Sequence, residues 1–186
     1  MVDLFVVVVA PHSLCNPKLK YRHCDRVARE AAIDLYQKLP YDGKLFLSNV
    51  YREKLDLNRS PSRKSPFRHE LSKYIGTVSD GVQKMYVLDV HSFPEGEYQD
   101  RQIAIVNNDM KRNLCAKRLF HYLQDDGFDV EYFEGTDVND IHIEALKHGH
   151  PSVLIEFNEN LTPNQIQDLT QSITNWLRDE YQLVNS

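Results

Sequence analysis

The clearest strand signal in the sequence is the run Leu4-Phe5-Val6-Val7-Val8-Val9-Ala10, which is followed by Pro11-His12-Ser13. It is short, apolar throughout and rich in β-branched residues, and Pro11 ends it. A run of this kind predicts a strand that is buried on both faces, as in a parallel sheet. His12 would then lie just beyond the carboxyl end of that strand.

Outward from this strand, the hydrophobic pattern alternates between the two secondary-structure periods. It predicts further strands over residues 44–50, 84–90, 102–106, 128–133 and 151–157. It predicts helices over residues 25–39, 67–79, 108–125, 140–148 and 162–177, and a loop over residues 59–66. Strands that alternate with helices predict one α/β domain over residues 1–186, with a mostly parallel sheet covered on both faces.

Composition restricts the possible partners. The chain has 186 residues, 41% hydrophobic and 26% charged, and is therefore globular rather than disordered. Its net charge of -5 argues against nucleic acid as a partner, although residues 52–68 are locally basic and predict either a solvated loop or an anion pocket. The apolar run 4–10 is too short to span a bilayer and has no basic residue before it, so no signal peptide and no membrane partner are expected.

The three cysteines, Cys15, Cys24 and Cys115, are odd in number and lack the spacing of a disulfide scaffold. They do not suggest a disulfide framework, and a reducing, cytoplasmic location fits them best.

Chemically useful residues follow three of the predicted strands: His12 after the first, His91 after the strand over residues 84–90, and Glu156 at the end of the strand over residues 151–157. Ligands bind open α/β sheets beyond the carboxyl ends of the strands. Imidazole is a preferred zinc ligand, and a nearby carboxylate can accept a proton from water. The chain has eight histidines, however, and most histidines bind no metal, so the residues alone leave His12 and His91 evenly balanced.

Four segments carry a resemblance to a known family. They are Pro11-His12-Ser13, Asp56-Leu57-Asn58-Arg59, Asp89-Val90-His91-Ser92-Phe93 and Leu154-Ile155-Glu156. In content, order and approximate spacing they resemble the signature segments of the N-formylglutamate amidohydrolase family. The resemblance covers nearly the whole chain.

The resemblance implies a fold like that of zinc carboxypeptidases and aspartoacylases, a three-layer phosphorylase/hydrolase-like sandwich. It also implies a zinc hydrolase that cleaves an amide next to a free carboxylate. On this basis His12 and His91 are zinc ligands, and Glu156 activates water. Asp25, at the start of the first predicted helix, is the preferred third ligand. Cys15, three residues after His12, is the second choice, and Glu30 is the third.

The same resemblance implies the residues that contact the substrate. Arg59, with Arg52 in support, is expected to bind the substrate carboxylate, which suits the planar guanidinium. Asn58 is expected to polarise the scissile carbonyl as an uncharged donor. Asp89, two residues before His91, predicts either a carboxylate that orients that histidine or an ordinary polar residue at the strand end.

Three functions follow from these residues. The leading one is hydrolysis of an N-formyl or N-acyl amino acid. The second is carboxypeptidase-like or cell-wall amidase action on a peptide. The third is a degenerate family member that binds a ligand without catalysis. The expected partner is a small molecule or peptide with a free carboxylate.

Overall fold

A computed structural model describes residues 3–16, 18, 24–52, 54–77, 83–107, 114–134 and 139–185. Its centre is a six-stranded sheet in the order β2-β1-β3-β6-β4-β5. The strands are β1 (Asp3–Ala10), β2 (Asp42–Leu47), β3 (Gln83–Phe93), β4 (Ile103–Asn107), β5 (Val130–Glu134) and β6 (Ser152–Asn158). All neighbours pair in parallel except β4 and β6, which are antiparallel. The predicted α/β class with a mostly parallel, mixed sheet is confirmed.

Helices cover both faces of the sheet, as predicted. They are α1 (Ala28–Lys38), α2 (Pro66–Thr77), α3 (Leu114–Asp125), α4 (Asp140–Lys147) and α5 (Pro163–Asn185). The first, third and fifth pack on one face, and the second and fourth on the other. Thr162 and Gln165 cap α5 reciprocally, since each side chain accepts a hydrogen bond from the other's backbone N–H. Gly127, at φ +88°, follows the end of α3 as its sequence position predicts.

Strand β3 separates two hydrophobic cores. Tyr86, Leu88 and Val90 contribute to the core under α1, α3 and α5. Met85 and Val87 contribute to the core under α2 and α4. Because side chains alternate along a strand, the next two residues on this second face are Asp89 and His91.

Several boundaries differ from the prediction. Strand β3 continues to Phe93 because β6 pairs with it as far as Asn158, so His91 lies within the strand rather than after it. Helix α1 begins only at Ala28, so Asp25 precedes it in an irregular segment. Residues 60–64 form a short 3-10 helix rather than an irregular loop. Residues 78–79 and 108–113 of two predicted helices lie outside the described residues.

The prediction that the chain has no disulfide is wrong. Cys15 and Cys24 are bonded to each other, nine positions apart in the sequence, and only Cys115 is a free, buried thiol. The bond can form because the chain at Asp25 lies beside His12 again: the backbone N–H of Asp25 donates to the carbonyl of His12 at 3.2 Å. This return brings the two sulfur atoms together, which sequence spacing alone does not reveal.

Among the residues that the structure describes, no helix has both the length and the apolar character needed to cross a membrane.

Candidate metal centre

Three buried side chains converge at the carboxyl ends of β1 and β3. His12 lies two residues beyond β1, and His91 lies near the end of β3. The backbone N–H of Asp25 donates to the carbonyl of His12, which holds Asp25 beside it. One potential ligand atom from each of the three side chains lies within 4.8 Å of the other two. The structure therefore brings together the two predicted histidines and the preferred third residue.

Both imidazoles turn the same nitrogen toward Asp25. The His91 Nδ1 lies 2.7 Å from Asp25 Oδ2, and the His12 Nδ1 lies 3.3 Å from the same oxygen. The two rings meet edge to face with their centroids 4.9 Å apart. A compact set of two Nδ1 atoms and one carboxylate results.

The opposite nitrogen of each ring meets a second carboxylate. His12 Nε2 lies 2.7 Å from Asp56 Oδ1, and His91 Nε2 lies 3.1 Å from Asp89 Oδ1. A carboxylate at Nε2 favours the tautomer that carries its proton there, which leaves Nδ1 to donate its lone pair. Asp89 thus has the orienting position that its spacing from His91 suggested. The equivalent position of Asp56 was not foreseen, although this residue heads the segment Asp56-Leu57-Asn58-Arg59.

The donor set suits zinc. The His12 Nδ1 is buried and faces Asp25 Oδ2 at 3.3 Å without the geometry of a hydrogen bond, which is uncommon for a buried polar nitrogen. Two imidazoles and one carboxylate match the ligand types of catalytic zinc sites, where three protein ligands leave one position open. A cation between these atoms would engage the lone pair of His12 and neutralise Asp25.

The charges of the cluster also suit a cation. Burial by itself would raise the pKa of Asp25, but its interactions with the two imidazoles, His12 and His91, hold that pKa well below its ordinary value. Burial would likewise lower the pKa of His91, but the charges of Asp89 and Asp25 and hydrogen bonds to both raise it. The anionic carboxylates thus outweigh burial, and metal binding at His91 would release a proton.

Glu156 lies next to this cluster on the neighbouring strand. Its Cα is the register partner of His91 on β3, so both side chains occupy the same face of the sheet. The side chain is partly exposed. Burial of much of the carboxyl raises the pKa of Glu156 to about 7, with Asp25 and Asp89 adding to the rise against an opposing effect of His91. A carboxylate with such a pKa can accept a proton near neutral pH.

Asn58 occupies a different position from the one expected of a substrate-facing donor. It is fully buried, and its Nδ2 donates to Asp89 Oδ2 at 3.1 Å and to Asn139 Oδ1 at 3.2 Å. Its Oδ1 accepts the backbone N–H of Ile141 at 3.1 Å. Both hydrogens of the amide are therefore used within the protein. This geometry favours a positioning role, in which Asn58 fixes Asp89 and through it His91.

The two predicted substrate-binding arginines lie at the edge of the cluster. Arg52 places its guanidinium 3.4 Å from Asp25 Oδ1 and 3.5 Å from Asp56 Oδ2. Arg59, which is half-buried, donates to Asn139 Oδ1 at 3.2 Å. Arg52 thus contacts two of the carboxylates around the histidines, whereas Arg59 belongs to the group around Asn58.

The other two candidates for the third ligand do not join the cluster. The sulfur of Cys15 is bonded to Cys24, so no thiolate is available to bind a metal. Glu30 is exposed on α1 and is absent from the group of convergent ligand atoms. Of the three residues considered, only Asp25 converges with the histidines.

No protein-family model matches the chain, and no curated protein matches it in sequence. The fold is similar to that of three solved structures. Gene product Atu2144 from Agrobacterium tumefaciens has a TM-score of 0.77 and 17% identity, over 98% of this chain and 90% of that one. The CwlD amidase from Clostridioides difficile, solved with the GerS lipoprotein, has a TM-score of 0.62 and 13% identity, over 96% and 98%. Murine aminoacylase 3 has a TM-score of 0.60 and 15% identity, over 96% and 65%.

Proposed function

We propose that this chain is a zinc-dependent amidohydrolase of the N-formylglutamate amidohydrolase kind. Its substrate would be an N-formyl or N-acyl amino acid, or a similar amide, with a free carboxylate. The fold-level likeness to an amidase and an aminoacylase agrees with this chemistry. A cell-wall peptide stays the alternative substrate.

The observation that carries the proposal is the arrangement of the two histidines. Each presents Nδ1 to the shared carboxylate of Asp25, while each Nε2 faces its own outer carboxylate, Asp56 or Asp89. Histidines that only stabilise a fold do not need a carboxylate at both ring nitrogens. Metal-binding histidines use it to fix the tautomer and the orientation of the ring.

A zinc ion held by His12, Asp25 and His91 would polarise the amide carbonyl and lower the pKa of water. Glu156, beside His91 on the same face, would accept a proton from the attacking water and return it to the leaving amine. Its partial exposure gives a substrate access to the carboxylate, and its pKa near 7 lets it act in both directions.

The arginines would orient the substrate. Arg59 is our choice for the substrate carboxylate, because a guanidinium binds it with two parallel hydrogen bonds. Arg52 can assist, although its contacts with Asp25 and Asp56 also stabilise the ligand carboxylates. Asn58 would act indirectly, by holding Asp89 against His91.

The test is metal content together with hydrolysis. Purified protein is incubated with zinc, desalted and measured for bound metal and for release of formate from N-formyl amino acids. We expect one zinc per chain. His12→Ala and His91→Ala should lose both the metal and the activity, whereas His121→Ala, which changes an exposed histidine on α3, should keep both. Full zinc content in either of the first two variants would remove that histidine from the ligand set. A wild-type protein that binds no zinc would favour a degenerate, non-catalytic function.

A further inference from the structure

We propose that an aromatic shelf beside Glu156, formed by Tyr98 and Phe133 and supported by the buried Phe93, binds a large apolar group of the substrate. The substrate would then carry an aromatic or bulky aliphatic side chain in addition to its carboxylate. This inference rests on the proposed function and makes its substrate class narrower.

The register of the sheet places the shelf next to Glu156. Glu156 pairs with Ala104 on β4, and two residues further along the same face of β4 Val106 pairs with Phe133 on β5. Phe93 lies two residues beyond His91 on β3, so it also shares this face. Phe93 and Phe133 thus lie on either side of the two strands that carry Glu156 and Ala104.

Tyr98 connects the two phenylalanines. Its ring centroid is 5.0 Å from that of Phe93 and 5.7 Å from that of Phe133, with edge-to-face geometry at both contacts. Since β6 and β4 lie between β3 and β5, a ring that contacts both phenylalanines must lie across this part of the sheet. Phe93 is only 1% exposed, so Tyr98 and Phe133 provide the accessible part of this aromatic cluster, with Phe93 buried beneath Tyr98.

Phe133 is accessible to solvent. Its side chain is 46% exposed, although it lies on a strand rather than at a loop tip. Two other large hydrophobic residues of the described part of the chain are exposed, Tyr36 at 38% and Leu114 at 65%, and both belong to helices that pack on the opposite face of the sheet. An exposed aromatic ring adjoining a candidate active site marks a place for an apolar group.

The chain adopts an unfavourable backbone to position Tyr98. Tyr98, Gln99 and Asp100 have φ values of 46°, 55° and 57°, a left-handed conformation that residues with side chains rarely adopt in succession. The turn is held by the Asp100 carboxylate, which accepts the backbone N–H of Gly96 at 2.6 Å. Backbone strain of this kind is concentrated at functional sites.

The size of the shelf favours a small molecule over a protein partner. An aromatic side chain has a total area of about 150–250 Å², so the exposed part of Phe133 is on the order of 100 Å². A stable protein interface needs roughly 800 Å² from each partner. One aromatic ring or branched aliphatic chain would cover the shelf while its amide reaches Glu156.

The experiment compares N-formyl-phenylalanine with N-formyl-alanine on the zinc-loaded protein. We expect kcat/KM to be at least about tenfold higher for the phenylalanine substrate, because a buried apolar group of this size discriminates at that level. Phe133→Ala should remove most of this preference, and Phe133→Leu should keep part of it. Leu114→Ala, at an exposed apolar residue outside the shelf, should leave the ratio unchanged. Thermal unfolding of each variant confirms that it is folded.

Calorimetry with L-phenylalanine and L-alanine separates this inference from the proposed function. If neither substrate is hydrolysed, the proposed function fails, yet binding of L-phenylalanine that depends on Phe133 would still support the shelf. If both substrates are hydrolysed equally well, the hydrolase stands and the shelf is refuted. Absence of any difference between L-phenylalanine and L-alanine in binding, together with no hydrolysis, would also refute the shelf.

Discussion

Two neighbouring residues of β3, Leu88 and Asp89, face environments of different kinds. Leu88 is buried among the apolar side chains under α1, α3 and α5. Asp89 is equally buried, but it accepts hydrogen bonds from His91 and Asn58 on the opposite face. One face of the sheet therefore stabilises the fold by excluding water, and the other holds polar groups that each need a partner.

Two carboxylates show the same contrast. Glu180 on α5 is buried beneath the first face, where Arg118 binds both of its oxygens at 2.6 Å and the Tyr86 hydroxyl donates to it at 3.0 Å. Glu156 lies on the second face with the pKa of its carboxyl raised to about 7. A carboxylate fixed by an arginine serves the structure, whereas one that can change its protonation near neutral pH is suited to proton transfer.

The largest effect should follow from changing the second of these carboxylates. Glu156→Gln preserves the shape but removes the base, so kcat should fall by about 10²- to 10⁴-fold while zinc is retained. The check is steady-state kinetics with metal analysis of the same sample. Glu180→Gln is the matched control on the other face, and it should lower stability without lowering kcat. An unchanged kcat in Glu156→Gln would end its assignment as the general base.

A substitution on the apolar face should lower the stability of the protein without changing its activity. Leu88→Ala removes a fully buried side chain, which typically costs about 2–5 kcal/mol in the free energy of unfolding. At conditions below the unfolding transition, the zinc content and kcat of this variant should equal those of the wild type. Denaturant titration of the zinc-free protein measures the loss. A variant that loses zinc while still folded would show that the two faces are not independent.

Loss of the disulfide should have an effect of intermediate size on stability. Reduction, or Cys15→Ser, opens a loop whose ends are nine positions apart, and chain entropy predicts a loss of about 2–3 kcal/mol. Most of the zinc should be retained, whereas Asp25→Ala should lose it, since only the latter removes a ligand atom. Urea titration with and without reductant tests the stability change, and Cys115→Ser, at the free cysteine, is the control.

The disulfide also bears on where in the cell the protein resides. Disulfides are uncommon in reducing cytosol, so the cytoplasmic location stays a prediction that depends on the redox state of Cys15 and Cys24 in the cell.

The smallest effect should come from the carboxylates behind the histidines. Asp89→Asn keeps the volume but weakens the acceptor of His91 Nε2–H, and changes of this type reduce metal affinity by about 10- to 100-fold. Competition with a chelator of known affinity measures it. Asp56→Asn should have a weaker effect, because Asp56 is 28% exposed and water can replace part of its contact with His12. Equal zinc affinity in wild type and Asp89→Asn would make Asp89 purely structural.

Much of the fold could be predicted because its signals are local. The run Leu4–Ala10 is a buried strand and Gly127 ends α3, and both follow from hydrophobic period or backbone preference. The antiparallel placement of β4 beside β6 could not be predicted, since strand order depends on contacts far apart in the chain. The end of β3 was placed too early for the same reason: pairing with β6 extends it.

The residue types that follow the strands can be identified from the sequence alone. His12, His91 and Glu156 could be named because apolar strands lead directly to them, and an open α/β sheet gathers such ends at one edge. Resemblance added Asp25, and the structure brings its carboxylate to both histidines.

How these residues are partnered follows from the tertiary structure. It joined Cys15 to Cys24, placed Asp56 behind His12, enclosed the Asn58 amide and set Tyr98 against Phe133. Each of these contacts joins residues from separate segments, and its formation depends on how the chain returns across the sheet. Hydrophobic period records which side of an element is buried, but the atom that a buried polar group meets there is fixed only by packing.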